Sequence, residues 1–185
     1  MNEVSLPPYI KSYDKFQPGD FIQYSGQLWD QEELTAAVDS LMNGKWVVAG
    51  EKVAQFQNKF SKRFNVKQSL MVNSGSSANL VLITALKKKF GWYNGDEIIV
   101  SPVGFPTTIA PIVQNGLKPV FVDIELDSLN FDINKIEEKI TDRTMAIFVS
   151  PVLGNPPDID RLVDICETHG IILIGDNCDS LGTLW

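Results

Sequence analysis

Asp176 is the residue of this sequence whose type and position most clearly indicate chemistry. It follows the apolar run of residues 171–175, which predicts a buried strand that ends on this carboxylate. Ligands of open α/β sheets bind outside the carboxyl ends of the strands, and a buried carboxylate is costly without a partner. A protonated pyridine nitrogen is such a partner, because the pair would keep the ring a strong electron sink. In the alternative, Asp176 caps the following turn. Asn177 and Asp179 could then orient a ring hydroxyl or the next loop.

A second candidate is the segment 73–79, Asn-Ser-Gly-Ser-Ser-Ala-Asn, which joins a predicted strand at residues 69–72 to the start of a predicted helix. Free amides of Ser76 and Ser77 at the helix N-terminus would bind an anion. Gly75 would let a phosphate approach the backbone closely. The segment lacks the Gly-Lys-Ser/Thr of a Walker loop and the glycines of a dinucleotide fingerprint. A polar helix cap without a ligand is the alternative.

Phe105 lies in the segment 102–108, Pro-Val-Gly-Phe-Pro-Thr-Thr, which follows the next predicted strand. Because the carboxyl ends of parallel strands share one sheet edge, we expect this ring near Asp176. A flat aromatic ring there could stack on a planar cofactor. A ring packed within its own loop is the alternative.

Other reactive side chains have simpler interpretations. The acidic residues within 123–127 fit no standard metal loop, so solvated turn charges are favoured and no metal ligand is assigned. His169, the only histidine, stands at a predicted helix end, where capping accounts for it. We expect Cys166 in the core, and nothing marks Cys178 as a nucleophile although it lies close to Asp176 in sequence.

Alternating strands and helices must position these residues. The predicted strands consist mainly of Val, Ile, Leu and Phe, which is typical of a parallel sheet buried on both faces. Strand–helix repetition predicts an α/β fold with an open, mostly parallel, five-stranded sheet and flanking helices. The strands are predicted at residues 69–72, 97–101, 119–123, 145–150 and 171–175, and the helices at 76–90, 107–115, 134–140 and 158–169.

Two helices are predicted before this sheet. Asp30 begins the first, and Glu33 three residues later completes a capping-box pattern. The second carries Phe56, Phe60 and Phe64 at helical spacing, and we expect this aromatic stripe to pack in the core.

Composition limits the classes of partner. The chain has 185 residues, which suits one domain with a core, and its 16 basic and 23 acidic residues give a net charge of −7. This charge argues against nucleic acid and anionic membranes. No apolar run reaches the roughly 20 residues of a membrane span, and the N-terminus has no signal-peptide core. With two cysteines in no disulfide or metal pattern, we expect a cytoplasmic protein.

Five motifs together carry a family resemblance: residues 73–79, 104–108 (Gly-Phe-Pro-Thr-Thr), 116–123 (Gly-Leu-Lys-Pro-Val-Phe-Val-Asp), 153–156 (Leu-Gly-Asn-Pro) and 176–182 (Asp-Asn-Cys-Asp-Ser-Leu-Gly). In this order they resemble the DegT/DnrJ/EryC1/StrS sugar aminotransferase family, which acts on nucleotide-linked keto-sugars. The resemblance is closest to the branch of CDP-4-keto-6-deoxy-D-glucose 3-dehydrases.

The resemblance implies the large domain of fold type I enzymes that use pyridoxal 5'-phosphate (PLP) or pyridoxamine 5'-phosphate (PMP). It implies Gly75 and Ser76 on the cofactor phosphate, Phe105 stacked on the ring, Asp176 on the pyridine nitrogen and Asp179 near the ring hydroxyl. It also implies a homodimer with its sites at the interface.

The implied substrate is a nucleotide-linked 4-keto-6-deoxyhexose of deoxysugar or lipopolysaccharide biosynthesis. In the dehydrase branch, PMP forms a ketimine with the C4 keto group, a base removes a proton from the cofactor methylene, and the C3 hydroxyl leaves. In the aminotransferase branch, a lysine holds PLP as a Schiff base. An inactive cofactor- or sugar-binding module, or a structural protein on this fold, are the alternatives.

The resemblance covers about the first two-fifths of the family's length. The family's catalytic histidine or lysine follows the Asp176 motif by tens of residues, and no lysine follows Lys139, so we assign no catalytic residue to this chain. The cysteines that bind an iron–sulfur cluster in one dehydrase branch also have no counterpart. We expect residues 1–29 to be an arm, either disordered or wrapped on a partner, and residues 30–185 the N-terminal part of the large domain without the small domain. A second copy or a complementing chain would complete it.

Overall fold

A computed structural model of the chain describes residues 18–19, 30–44 and 48–184. The chain forms two compact units, Met1–Met71 and Val72–Trp185. The predicted arm of residues 1–29 lies outside the described residues apart from 18–19, so its division from the rest of the chain stays a prediction.

In the first unit, helix α1 (Gln31–Asn43) begins as its sequence predicts. The Asp30 carboxylate accepts the Glu32 amide at 2.7 Å. The Glu33 carboxylate in turn accepts the Asp30 amide at 2.9 Å. These reciprocal bonds satisfy amides that have no partner within the helix, and they confirm the capping box.

Helix α2 (Glu51–Arg63) also forms, but its aromatic stripe is not in a core. Phe56 stays 49% exposed and Phe64 39% exposed, so the expected core packing of these rings is wrong. The rings pack on each other instead, with centroids 5.7 Å apart for Phe56 and Phe60 and 4.6 Å apart for Phe60 and Phe64. Residues four apart on a helix are neighbours on one face, which explains this contact without any buried position.

In the second unit, four parallel strands form one sheet in the order β2-β1-β3-β4. The register pairs Val100 with Phe121 on one side and with Phe148 on the other, and Phe148 with Ile174. The carboxyl ends of the strands therefore reach the same edge. The strands are β1 (Glu97–Val100), β2 (Lys118–Phe121), β3 (Thr144–Val149) and β4 (Ile172–Gly175), and the helices of this unit are α3 (Gly75–Phe90), α4 (Pro106–Gln114) and α5 (Ile159–His169).

The two faces of this sheet are buried by different elements. Ile98 packs in one apolar cluster with Ile83 of α3 and Ile112 of α4. Ile99, whose side chain points to the opposite face, packs in a second cluster with Leu162 of α5. Burial on both faces explains why the central strands are almost entirely apolar, and it confirms the predicted parallel α/β sheet.

The predicted strand at residues 69–72 is not a strand, so the described sheet has four strands instead of five. Within the described residues no strand pairs with this segment. The Ser69 hydroxyl donates to the Gln57 carbonyl at 2.7 Å, and the Met71 amide donates to the Gln57 side-chain oxygen at 2.9 Å. A strand exists only through bonds to a neighbouring strand, and apolar sequence does not supply them.

The remaining elements lie within a residue or two of their predicted bounds. The exception is the predicted helix at residues 134–140, which forms two 3-10 turns, Ile133–Lys135 and Glu137–Lys139. On α3, the apolar spacing predicts that Leu80 faces inward with Ile83, but 40% of Leu80 is exposed whereas Ile83 is fully buried. No helix among the described residues has the length and apolar character needed to cross a bilayer.

Candidate functional site

Asp176 directly follows β4 and is 9% exposed. Its amide donates to the Val149 carbonyl at 2.8 Å, which fixes its backbone to the end of β3. Its Oδ2 accepts two hydrogen bonds, from Asn79 Nδ2 on α3 at 2.8 Å and from Thr108 Oγ1 on α4 at 2.7 Å. Two helices therefore hold one carboxylate oxygen in place, while β3 holds the backbone of the same residue.

The other oxygen of Asp176 is much less engaged. Oδ1 accepts only the Cys178 amide, at 3.3 Å, among the described residues. No lysine or arginine in this part of the chain lies within ion-pair distance of the carboxylate. The turn-capping alternative is thus real but weak, and Oδ1 keeps acceptor capacity for a further, charged donor.

The N-terminus of α3 supplies donors for an anion. Ser74 caps the helix, and its Oγ accepts the Ser77 amide at 3.2 Å. The expectation of a free Ser77 amide is therefore wrong, since the cap occupies it. The amides of Gly75 and Ser76 have no acceptor within the helix, because the first turn lacks preceding carbonyls. Together with the helix dipole they remain suited to a phosphate.

The anion-binding turn and the Asp176 loop meet at the carboxyl edge of the sheet. The Ser76 hydroxyl donates to Thr107 Oγ1 at 3.1 Å, which joins the beginnings of α3 and α4. A Cβ added to Gly75 would lie 3.8 Å from the sulfur of Cys178. The structure therefore brings Gly75 and Ser76 to the loop that carries Asp176.

Phe105 and Asp179 lie on loops at the same edge. Phe105 directly precedes α4, and 65% of it is exposed, so its ring is not packed within the loop. Asp179 is exposed, and its carboxylate makes no hydrogen bond within the described part of the chain. Both positions are accessible to a ligand, and contact with a cofactor ring stays a prediction for each.

Asn79 and Thr108 are site residues to which the sequence analysis gave no role. Asn79 is 6% exposed and Thr108 is 5% exposed. Each stands four residues before a core isoleucine of its own helix, Ile83 and Ile112 respectively, so each shares that inward face. A polar residue in phase with the buried face of a helix was the available signal, because such a group needs a buried partner.

Two other predicted assignments concern groups outside this site. Cys166 is 4% exposed, which confirms its place in the core, and burial raises the pKa of its thiol to about 11. His169 ends α5, and its Nε2 lies 3.4 Å from a carboxylate oxygen of Glu137. Neither side chain reaches the edge that carries Asp176.

Comparisons with known proteins identify the relatives of this chain. The sequence of residues 29–185 matches the DegT/DnrJ/EryC1/StrS aminotransferase family. The dTDP-4-dehydro-2,6-dideoxy-D-glucose 3-dehydratase of Saccharopolyspora spinosa is 40% identical over 187 residues, which covers 99% of this chain and 39% of that protein. The GDP-4-keto-6-deoxy-D-mannose 3-dehydratase of Escherichia coli O55:H7 is 44% identical over 156 residues, 83% of this chain and 40% of the relative.

Solved structures extend the likeness to three dimensions. The E. coli GDP-4-keto-6-deoxy-D-mannose-3-dehydratase with bound hydrated PLP superimposes with a TM-score of 0.80 at 42% identity, over 85% of this chain and 41% of that one. The chain thus spans about two-fifths of the length of the relatives it matches. On the match across residues 29–185, the chain belongs to the DegT/DnrJ/EryC1/StrS aminotransferase family.

Proposed function

We propose that this chain forms the cofactor-binding part of a PLP- or PMP-dependent 3-dehydrase that acts on a nucleotide-linked 4-keto-6-deoxyhexose. The observation that carries the proposal is the asymmetry of Asp176. Oδ2 is saturated by two neutral donors, while Oδ1 keeps acceptor capacity and no described cation neutralises the charge. A protonated pyridine nitrogen supplies both the missing donor and the missing charge.

The residues present fit such a cofactor at both of its ends. The free amides of Gly75 and Ser76 would hold the phosphate, and the Ser76 hydroxyl would add a donor by rotating away from Thr107. The Asp176 carboxylate would hold the ring nitrogen in its protonated form. When bound, the cofactor supplies an electron sink for charge that develops on carbon next to the ring. Phe105 would cover one face of the ring, and Asp179 would lie near its hydroxyl.

Asn79 and Thr108 serve this chemistry by orienting Asp176. Their shared hydrogen bonds to Oδ2 prevent rotation of the carboxylate, so that Oδ1 stays available for the ring nitrogen. Such preorganisation places a charge before the ligand arrives and avoids reorganisation at the moment of reaction. Two relatives that are 40% and 44% identical to this chain are 3-dehydratases, which supports the dehydrase over the alternatives.

A nucleotide-sugar aminotransferase is the second candidate, because the family takes its name from that reaction. The cofactor-holding residues would serve either activity. The family's histidine or lysine at the catalytic position separates the two, and residues 140–185 contain no lysine. A homodimer or a complementing chain would bring the remaining groups to the site, and a cytoplasmic location fits the soluble nucleotide-linked substrate.

A titration with PMP tests the cofactor site. PMP has an amine where PLP has an aldehyde, so it cannot form imines with surface lysines. We expect saturable binding by the chain, followed by calorimetry and by the absorbance of the ring. Asp176→Asn should weaken binding by about ten- to a hundredfold, the equivalent of one lost charge-assisted hydrogen bond. Asp127→Asn, at an exposed loop position, is the matched control and should bind as the wild type does.

Equal affinity of the wild type and the Asp176→Asn variant would refute the assignment of Asp176. Absence of PMP binding by the wild-type chain would refute a preformed cofactor site in this part of the enzyme.

A further inference from the structure

Asn130 is a buried amide in the loop after β2, outside the site described above. Only 3% of it is exposed. Its Nδ2 donates to the Asn155 carbonyl at 2.9 Å, and its Oδ1 accepts the Val152 amide at 3.3 Å. Asn155 returns the contact, since its Nδ2 donates to the Ser128 carbonyl at 3.1 Å. Because an amide side chain both donates and accepts, Asn130 holds both ends of the turn that follows β3.

The turn that Asn130 holds has an unusual backbone. Leu153 has φ 52° and ψ 29°, and Gly154 has φ 81°, so two consecutive residues are left-handed. A residue with a side chain rarely adopts this conformation. The Leu153 side chain is 82% exposed, so no core packing offsets the strain. Such strain persists only where the surroundings impose it, and the two hydrogen bonds of Asn130 do so here.

The turn that Asn130 holds also contacts the segment after Asp176. The Gly154 carbonyl accepts the Thr183 hydroxyl at 3.1 Å. A Cβ on Gly154 would lie 3.2 Å from the Asp179 carbonyl oxygen, which is closer than ordinary contact. Because residue 154 is glycine, its turn can approach the loop that carries Asp179. This one turn therefore links Asn130 to Asp179.

We infer that Asn130 is a positioning residue for Asp179. Asn130 holds the left-handed turn at residues 153–154, and this turn fixes the position of the Asp179 backbone at the carboxyl edge of the sheet. The inference rests on the proposed function, because a fixed Asp179 matters for a ligand bound beside Asp176. Asn130 itself lies behind both loops and acts only through them.

Hydrogen exchange of the chain without ligand tests the inference. The amides of Ser180 and Thr183 report on the segment, since they donate to the Asn177 and Ser180 carbonyls at 3.2 and 2.9 Å. In Asn130→Ala, we expect these amides to exchange about tenfold faster, while the amides of β1 and β3 exchange as in the wild type. Gly154→Ala perturbs the same contact independently and should give the same local pattern.

The matched control is Asn134→Ala. Asn134 is also a hydrogen-bonded asparagine after β2, but its partners are Asp132 and Arg161 and not the turn after β3. Its removal should leave the exchange of Ser180 and Thr183 unchanged. In a PMP titration, Asn130→Ala should raise the dissociation constant by roughly three- to tenfold, and Asn134→Ala should not change it.

Unchanged exchange of Ser180 and Thr183 in both Asn130→Ala and Gly154→Ala would overturn the inference. Equal acceleration across β1 and β3 would also overturn it, because Asn130 would then stabilise the whole unit. Failure of the wild-type chain to bind PMP would contradict the proposed function instead. The exchange comparison needs no ligand, so it still decides the positioning role in that case.

Discussion

Replacing Thr108 by valine removes one of the two donors to Asp176 Oδ2 with little change in side-chain shape. Thr108 is 5% exposed, and its hydroxyl lies 2.7 Å from the carboxylate oxygen. A hydrogen bond to a charged group contributes about 1.5–3 kcal/mol. Since Asn79 still donates to the same oxygen, we expect Thr108→Val to lower the free energy of unfolding by about 2 kcal/mol.

Thr108→Val should no longer lower the free energy of unfolding when Asp176 is absent. In an Asp176→Ala background, the Thr108 hydroxyl is buried without its acceptor, which is itself unfavourable. Thr108→Val should then be neutral or stabilising. The difference between the two backgrounds, about 2 kcal/mol or more, measures the coupling between Thr108 and Asp176. Thr84→Val is the matched control, because the Thr84 hydroxyl is also hydrogen-bonded but is exposed and remote from Asp176.

Urea unfolding, monitored by far-ultraviolet circular dichroism, supplies these free energies of unfolding. The dependence of free energy on urea concentration must be equal among the variants before their midpoints are compared. A coupling below about 0.5 kcal/mol, which is the range found for independent sites, would refute the argument that Thr108 acts on Asp176. In the same variants, weaker PMP binding by Thr108→Val than by Thr84→Val would link the stability effect to the orientation of the carboxylate.

Two further outcomes follow from titratable groups. A hydrogen bond from Lys118, and to a smaller extent one from Thr141, hold the pKa of the Glu97 carboxyl below its ordinary value of 4.5. Burial acts in the opposite direction. The charged Glu97 carboxylate therefore stabilises the fold fully above pH 4.5, and this stabilisation is lost as pH falls through the lowered pKa. Acidification should lower the urea midpoint of Glu97→Gln less than that of the wild type. Parallel curves of midpoint against pH would contradict this. At pH 8 a thiol reagent followed by mass spectrometry should label Cys178 quickly and Cys166 slowly, because burial raises the Cys166 pKa to about 11 and the thiolate is the reactive form. Equally fast labelling of both cysteines would count against the buried position of Cys166.

Local sequence was sufficient for most of the secondary structure. The capping box at Asp30, the left-handed Gly91 and Gly170 that end α3 and α5, and the apolar strands are all decided within a few residues. Their interactions are short-range, so propensity, capping and periodicity agree with the final fold. For the same reason, local sequence located the helix start that carries Gly75 and the loop that carries Asp176.

Local sequence failed where a distant partner was needed. The apolar segment 69–72 satisfies the pattern of a strand but pairs with none in the described sheet. The rings of Phe56 and Phe64 have the spacing of a core face but remain partly exposed. In both cases the pattern states which face is apolar, and only the tertiary structure states what covers it.

By itself the sequence determined the types of element, the parallel sheet and the family motifs at the ends of the strands. These depend on residue type and on spacing along the chain. The tertiary structure decided that Asn79 and Thr108 donate to the same oxygen of Asp176, 97 and 68 residues away in sequence, and leave the other oxygen open. It also decided that Asn130 clamps a turn more than 20 residues away. Hydrogen bonds between side chains depend on distance and direction in space, which the packing of helices on the sheet sets and the order of residues does not.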